Sequence, residues 1–231
     1  MHYISRNLET VVKQVTLEYP VVLVTGPRQV GKTTMLQKLM QGSERNYVTL
    51  DDLNERALAQ SDPQMFFQMH KPPVLIDEVQ YAPELLIYVK ILAGRNHRPG
   101  DFWLTGSQAF RLTELAGESL AGRACLLHMT TLSQSELYGD GFGKPLTLSV
   151  DALQERVKHR RPTETPEMFQ RIFRGSMPAL ASGAITKRNR FYSSYIATYI
   201  LSGIFASSAG RLTRWNSFGF LRQSHAARGR W

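Results

Sequence analysis

The chain has 231 residues, of which 42% are hydrophobic, and a formal net charge of +9. This length allows one substantial α/β domain and something smaller, and the longest apolar stretches fall well short of the ~20 residues of a membrane-spanning helix. Cys125 is the only cysteine, which excludes an internal disulfide framework, and the first residues lack a secretory signal. These features predict a cytoplasmic protein without a membrane partner.

The first predicted elements are an amphipathic helix and a strand–loop–helix unit. Apolar residues at helical spacing predict the helix, at Leu8, Val11, Val12 and Val15. Residues 21–25 are then predicted to form an apolar strand, residues 26–34 a glycine-bounded loop, and residues 35–39 the helix that follows it. The loop reads Gly-Pro-Arg-Gln-Val-Gly-Lys-Thr-Thr. This is the P-loop pattern G-x-x-x-x-G-K-[ST] in the setting that it requires.

The residue types of this loop match the chemistry of phosphate binding. Two glycines allow backbone conformations that a side chain would forbid, and the loop amides and the positive helix end then face the phosphates. Lys32 is predicted to neutralise the β- and γ-phosphates, and Thr33 to ligand Mg²⁺. An ordinary turn with a solvated lysine is the alternative, but the flanking strand and helix favour a nucleotide site. Its predicted residues are Gly26, Pro27, Arg28, Gln29, Val30, Gly31, Lys32, Thr33 and Thr34.

Two carboxylates end a later apolar strand. A second strand is predicted at residues 46–50, and a third at 74–78, which ends in Asp77 and Glu78. Functional groups gather at the carboxyl ends of parallel strands, beside the P-loop. Asp77 is therefore predicted to hold Mg²⁺ directly or through water, and Glu78 to polarise an attacking water. Acids at a strand end are often only solvated, but the upstream P-loop favours the functional interpretation.

Two further positions are candidate site residues. A strand predicted at residues 102–105 is followed by Ser107 and Gln108, either of which could sense the γ-phosphate or orient the water. A plain polar turn is the alternative. Arg123 stands just before a fifth strand, at residues 124–129. It could act on phosphate in a neighbouring subunit or pair with a surface acid such as Glu118.

Four motifs, in this order, resemble those of the prokaryotic AAA-like ATPases. They are the P-loop at 26–34, Leu-Ile-Asp-Glu-Val-Gln at 75–80, Leu-Thr-Gly-Ser-Gln at 104–108 and Ser-Leu-Ala-Gly-Arg at 119–123. The likeness covers roughly residues 4–200. Such proteins carry an N-terminal P-loop domain and a C-terminal domain of unknown function. The resemblance implies ATP as the nucleotide, a five-stranded core of the additional-strand type, water activation by Glu78 and a sensor at Ser107 or Gln108.

The C-terminal part departs from this family at Leu201. Family members continue into a complete second domain, whereas here a short acid-free segment leads to Trp231. A truncated or frame-shifted product would have this pattern. No Asp or Glu follows Glu167, so the first 167 residues hold 18 basic and 19 acidic residues while ten Lys and Arg follow. The five arginines after residue 200 would attract nucleic acid non-specifically.

These observations predict an α/β P-loop NTPase with a parallel five-stranded sheet flanked by helices and a short helical C-terminal extension. The predicted parts are an ATPase domain at residues 1–140, a linker and helical segment at 141–200, and a basic tail at 201–231 that is disordered or the remnant of a truncated domain. The expected activity is ATP hydrolysis with Mg²⁺ through Lys32, Thr33, Asp77 and Glu78, in a chain that could form a homo-oligomer. A DNA-associated nucleotide switch with little turnover is one alternative. A small-molecule kinase is another, although kinases usually add an arginine-bearing lid.

Overall fold

The computed structural model describes residues 3–107, 112, 117, 119–139, 147–158 and 163–201. Its strands are β1 (Val21–Thr25), β2 (Asn46–Thr49), β3 (Val74–Asp77), β4 (Phe102–Gly106) and β5 (Ala124–His128). Its helices are α1 (Leu8–Thr16), α2 (Lys32–Leu39), α3 (Leu53–Ser61), α4 (Pro63–Met69), α5 (Leu85–Asn96), α6 (Gln134–Tyr138), α7 (Val150–Lys158), α8 (Thr165–Arg174), α9 (Pro178–Ala181) and α10 (Arg188–Tyr195). A 3₁₀ turn at Val79–Tyr81 and a π-helical turn at Ile196–Leu201 complete the described elements.

The five strands form one parallel sheet in the order β2-β3-β4-β1-β5. The parallel five-stranded sheet predicted from the sequence is therefore confirmed. Thr25, the last residue of β1, lies beside Gly106 of β4 and His128 of β5. Because all strands run the same way, the P-loop after β1 lies at the same edge of the sheet as Asp77 at the end of β3 and Glu78 directly after it.

Apolar residues cover both faces of the sheet. All five residues of β1 are buried. Val21 and Leu23 belong to a cluster that includes residues of α3, α4 and α5, whereas Val22 and Val24 pack with residues of α1 and α2. A strand buried on both faces has a continuous apolar sequence, because helices cover each side of a parallel sheet. The run Val-Val-Leu-Val in β1 has this physical origin.

Side-chain caps mark the starts of α3, α4 and α6, and the Asp52 carboxylate begins α3 by accepting from the backbone N–H of Asn54. The Asp62 carboxylate accepts a hydrogen bond from the backbone N–H of Met65 at 2.9 Å and so begins α4. Ser133 and Glu136 form a reciprocal capping box at the start of α6. Each cap satisfies backbone donors that have no partner within the helix.

The chain divides into two units, residues 1–184 and 185–231. The first holds the five strands and α1–α9, and the second holds α10 and the π-helical turn. The predicted basic tail at 201–231 lies, from residue 202 onward, outside the described residues. Among the helices that the structure describes, none has the length and apolar character needed to cross a bilayer.

Candidate nucleotide-binding site

The loop between β1 and α2 depends on two glycines. Gly26 has φ +145°, and a Cβ atom there would lie 2.1 Å from the backbone oxygen of Met129. Gly31 has φ +94° and immediately precedes α2. A side chain at Gly26 would collide with backbone, and one at Gly31 would be strained by the left-handed conformation. Both glycines of the predicted P-loop are therefore required by the geometry of the chain.

Lys32 is folded into this loop. Only 5% of the residue is exposed, and its Nζ donates to the carbonyl oxygens of Gly26 at 3.0 Å and Pro27 at 2.9 Å. Burial lowers the pKa of Lys32 below its ordinary value, while the charges of Glu78 and Asp77 oppose that effect. A buried ammonium that has only neutral acceptors gains from an anionic one, since charge-assisted hydrogen bonds are about twice as strong as neutral ones. The loop is therefore suited to receive an anion.

Asp77 lies beside Thr33, at the end of β3. The Thr33 hydroxyl donates to Asp77 Oδ1 at 2.7 Å, and the Thr105 hydroxyl donates to the same oxygen. Burial raises the pKa of Asp77, and the two hydroxyl donors oppose that rise. The adjacent hydroxyl and carboxylate are oxygen ligands of the kind that Mg²⁺ takes. The described residues hold no cluster of three or more His, Cys, Asp or Glu side chains that could hold a metal, so Mg²⁺ here would also need phosphate and water oxygens.

Glu78 is held in an unusual backbone conformation. Its φ is +57°, a left-handed value that is uncommon for residues other than glycine. Its backbone N–H donates to Thr105 Oγ1 at 3.1 Å. Its carboxylate accepts from Ser107 Oγ at 3.2 Å and from the side-chain amide of Gln80. Ser107, predicted as a site residue, therefore contacts Glu78 directly, and the sharp turn after β3 orients the carboxylate.

Thr105 and Gln80 are site residues that sequence reasoning missed. Thr105 has no exposed surface, and its hydroxyl connects Asp77 with Glu78. A threonine within an apolar strand was an available signal, because its hydroxyl is a polar group in an otherwise apolar run. Gln80 is 6% exposed and lies in the unpredicted 3₁₀ turn. Its Oε1 is buried without a hydrogen-bond partner among the described residues.

An open cleft of about 260 Å³ adjoins the P-loop. Its walls come from the N-terminal segment, the loop, the start of α2, the segment after β5, and α9 with the residue that follows it. The lining residues are Tyr3, Ile4, Arg6, Gln29, Val30, Gly31, Thr34, Leu132, Pro178, Ala179 and Ser182. The Ser182 hydroxyl is buried and finds no partner in the part of the chain that the structure describes. The cleft therefore offers a mostly apolar surface with a hydroxyl free to bond.

Arg123 lies at the opposite edge of the sheet. It precedes Ala124, which pairs with Val21 at the beginning of β1, whereas the P-loop follows the end of β1. A five-residue strand separates the two edges by roughly 13–16 Å at about 3.3 Å per residue. Gln108, the other predicted site residue, lies outside the described residues. The same holds for Glu118, one suggested partner of Arg123. The geometry therefore places Arg123 away from the phosphate loop of its own chain.

A P-loop after β1, an interior strand of a β2-β3-β4-β1-β5 sheet, with Asp77 at the end of β3 and Glu78 directly after it, defines a P-loop NTPase. The family described as AAA domain matches residues 18–138, slightly more than half of the chain. The chain belongs to this family of P-loop NTPases, whose members are usually ATPases. The resemblance recognised from four sequence motifs is confirmed.

Two curated relatives are uncharacterized proteins of Mycobacterium bovis and Mycobacterium tuberculosis. Each is 37% identical over 115 residues, which cover 49% of this chain and 26% of the relative. The match thus spans about a quarter of the relatives' length. A similar solved structure is the Walker-type ATPase of Pyrococcus abyssi, with 17% identity and a TM-score of 0.51 over 89% of this chain and 75% of that one. This likeness shows the fold alone.

The raised pKa of Asp77 predicts a pH-dependent stability. When the folded state raises a carboxyl pKa, the ionised group destabilises the fold at neutral pH. This cost diminishes as the pH falls through the raised pKa of the folded state, and it is gone below the ordinary pKa of the unfolded state. We expect Asp77→Asn to melt above the unmodified protein at about pH 7 without nucleotide or metal. An increase of about 2–4 °C corresponds to about 1 kcal/mol in a protein of this size. The difference should shrink towards pH 4.

The control for this measurement is Asp151→Asn, at an exposed carboxylate in the first turn of α7. Its melting temperature should stay close to that of the unmodified protein at both pH values. An Asp77→Asn protein that melts lower than the unmodified one at neutral pH would contradict a destabilising carboxylate.

Proposed function

We propose that this chain binds ATP with Mg²⁺ and hydrolyses it to ADP and phosphate. The observation that carries the proposal is the hydrogen-bonded connection of the metal and water sites. Thr33 bonds Asp77, and Thr105 connects Asp77 with Glu78. Lys32 and Thr33 belong to the P-loop sequence and are the first two residues of α2. Neighbouring side chains could therefore perform the three functions that hydrolysis needs: phosphate binding, metal binding and activation of water.

In the proposed mechanism, Lys32 and the loop amides bind the β- and γ-phosphates. Thr33 and Asp77 would hold Mg²⁺, which neutralises charge that develops on the phosphate oxygens. Glu78 accepts a proton from the attacking water, while a bond forms from the water oxygen to the γ-phosphorus and the bond to the β–γ bridging oxygen breaks. Ser107, which donates to the Glu78 carboxylate, helps to orient it.

We also propose that the cleft beside the P-loop receives the nucleobase. Its walls are mainly apolar or backbone, which suits a flat aromatic ring, and Ser182 supplies a hydroxyl without a partner among the described residues. Gly31 and Thr34 lie at the start of α2 and also line the cleft. A nucleotide with its phosphates at the loop can therefore extend into the cleft. The preference for ATP rests on the family resemblance.

Lys32→Ala tests phosphate binding. We expect ATP affinity to fall by well over tenfold, because a charge-assisted contact worth at least about 1.4 kcal/mol is lost. Isothermal titration of the folded variant with ATP and Mg²⁺ measures the effect. Lys38→Ala, which removes an exposed lysine from the same helix, is the matched control and should bind like the unmodified protein. Unchanged affinity in Lys32→Ala would rule out the phosphate site.

Glu78→Gln separates binding from chemistry. The amide keeps the size of the side chain but cannot accept the proton, so ATP should still bind while phosphate release slows by a factor of ~10² or more. Glu84→Gln, at an exposed glutamate of the next helix start, should keep the original rate. If the Glu78 variant hydrolyses ATP normally, another group activates the water. If the unmodified protein binds ATP but releases no phosphate with or without DNA, a nucleotide-dependent switch replaces the ATPase proposal.

We further propose that Arg123 acts on the nucleotide of a neighbouring copy, because it lies at the edge of the sheet away from its own P-loop. Arg123→Ala and Lys32→Ala should each hydrolyse ATP slowly. A mixture of the two should regain activity, since a Lys32-deficient copy can still supply its arginine to an intact site. Phosphate release measured across mixing ratios tests this expectation. Full activity of Arg123→Ala alone would assign the arginine to the surface.

A further inference from the structure

Arg6 makes a set of buried contacts behind the P-loop. The residue is 8% exposed, and each of its three guanidinium nitrogens has an acceptor. Nε bonds the Glu136 carboxylate at 2.9 Å, and Nη1 bonds the carbonyl oxygen of Val30 at 2.7 Å. Nη2 donates to the carbonyl oxygens of Thr130 at 2.8 Å and Thr131 at 3.3 Å. A buried charge needs such pairing, and the rigid guanidinium fork fixes where each acceptor lies.

The contact with Val30 orients one particular peptide group. In a planar trans peptide, the carbonyl of one residue and the N–H of the next point in opposite directions. Because the Val30 carbonyl faces Arg6, the N–H of Gly31 points away from Arg6. Gly31 immediately precedes Lys32 and has a left-handed φ of +94°. The orientation of this amide in the phosphate loop is therefore set by a side chain from the N-terminal segment.

The segment after β5 supports both ends of the loop. The Met129 backbone lies against Gly26 at the start of the loop, and Met129 N–H donates to the Thr25 carbonyl at 2.8 Å. At the other end, the Arg6 guanidinium donates to the carbonyl oxygens of Thr130 and Thr131 as well as to that of Val30. Hydrogen bonds through Arg6 therefore connect the backbone after β5 with the end of the phosphate loop.

We propose that Arg6 is a positioning residue for nucleotide binding, which holds the Val30–Gly31 peptide so that the Gly31 amide is preset to meet a phosphate oxygen. This inference rests on the proposed function. Arg6 acts through the loop backbone: it lines the cleft proposed for the nucleobase, but its guanidinium nitrogens bond protein acceptors and not the phosphates. Its loss should then weaken binding of substrate and transition state alike, which raises KM with little change in kcat.

The test compares Arg6→Lys with Glu136→Gln in the full chain. Lysine keeps the charge but lacks the planar fork that reaches several acceptors at once. Glutamine removes the charge of the ion pair yet leaves the Arg6–Val30 hydrogen bond in place. We expect Arg6→Lys to weaken ATP binding about tenfold, or about 1.4 kcal/mol, and to raise KM at similar kcat. Glu136→Gln should change the affinity less than about threefold even where both variants lower the melting temperature.

Equal loss of affinity in the two variants would assign Arg6 to general stability and overturn the inference. Lys32→Ala is measured in parallel to separate this failure from failure of the proposed function. If ATP binding depends on Lys32 but Arg6→Lys binds normally, only the inference falls. If the unmodified protein does not bind ATP, both fall.

A second measurement uses the unmodified protein, in case Arg6→Lys does not fold. Nuclear magnetic resonance during titration with ATP and Mg²⁺ should show a large shift of the Gly31 amide and an unmoved, slowly exchanging Arg6 Nε–H. A large shift of the Arg6 signal with an unmoved Gly31 amide would indicate direct contact of Arg6 with the nucleotide and would overturn the positioning role.

Discussion

The hydrogen bonds to the buried Asp77 carboxylate are the constraint on which the site depends. The residue is 5% exposed at the end of an apolar strand, and a buried charge without donors is costly. Its closest donors are the hydroxyls of Thr33 in α2 and Thr105 in β4, and the Tyr47 hydroxyl of β2 donates to its other oxygen at 3.5 Å. These bonds require the P-loop helix and β4 to lie at fixed positions beside β3. The geometry of the phosphate loop relative to the acids therefore follows from satisfying one carboxylate.

Much of this arrangement could be predicted from the sequence because its signals are local. The apolar runs of β1 and β3 indicate strands that are covered on both faces, and the glycine–lysine–threonine spacing identifies the loop chemistry. Asp77 ends β3 and Glu78 follows it directly, so their edge of the sheet could be predicted once the strands were taken as parallel. The sheet order itself could be anticipated only through the resemblance to a known family.

The missed residues have roles that depend on contacts distant in sequence. Arg6 meets Glu136 across 130 positions and Val30 across 24, and no local pattern connects them. Thr105 gains its role only from the register that places Leu104 beside Ile76. A sequence pattern identifies residues that carry chemistry by their type. It does not identify residues that act by holding others, since these can have many residue types and any separation.

Two buried carboxylates in this protein have opposite effects on the fold. Burial raises the pKa of Glu136, but the N–H groups of Ser133 and Asn7 and the Arg6 guanidinium outweigh it and hold the pKa below its ordinary value. Its ionised form stabilises the protein, and this contribution is lost as the pH falls through the lowered pKa. Asp77 has only hydroxyl donors, and its pKa stays raised. Because Mg²⁺ would bring a positive charge next to the Asp77 carboxylate, its binding with nucleotide should offset the cost of burying that carboxylate and stabilise the fold.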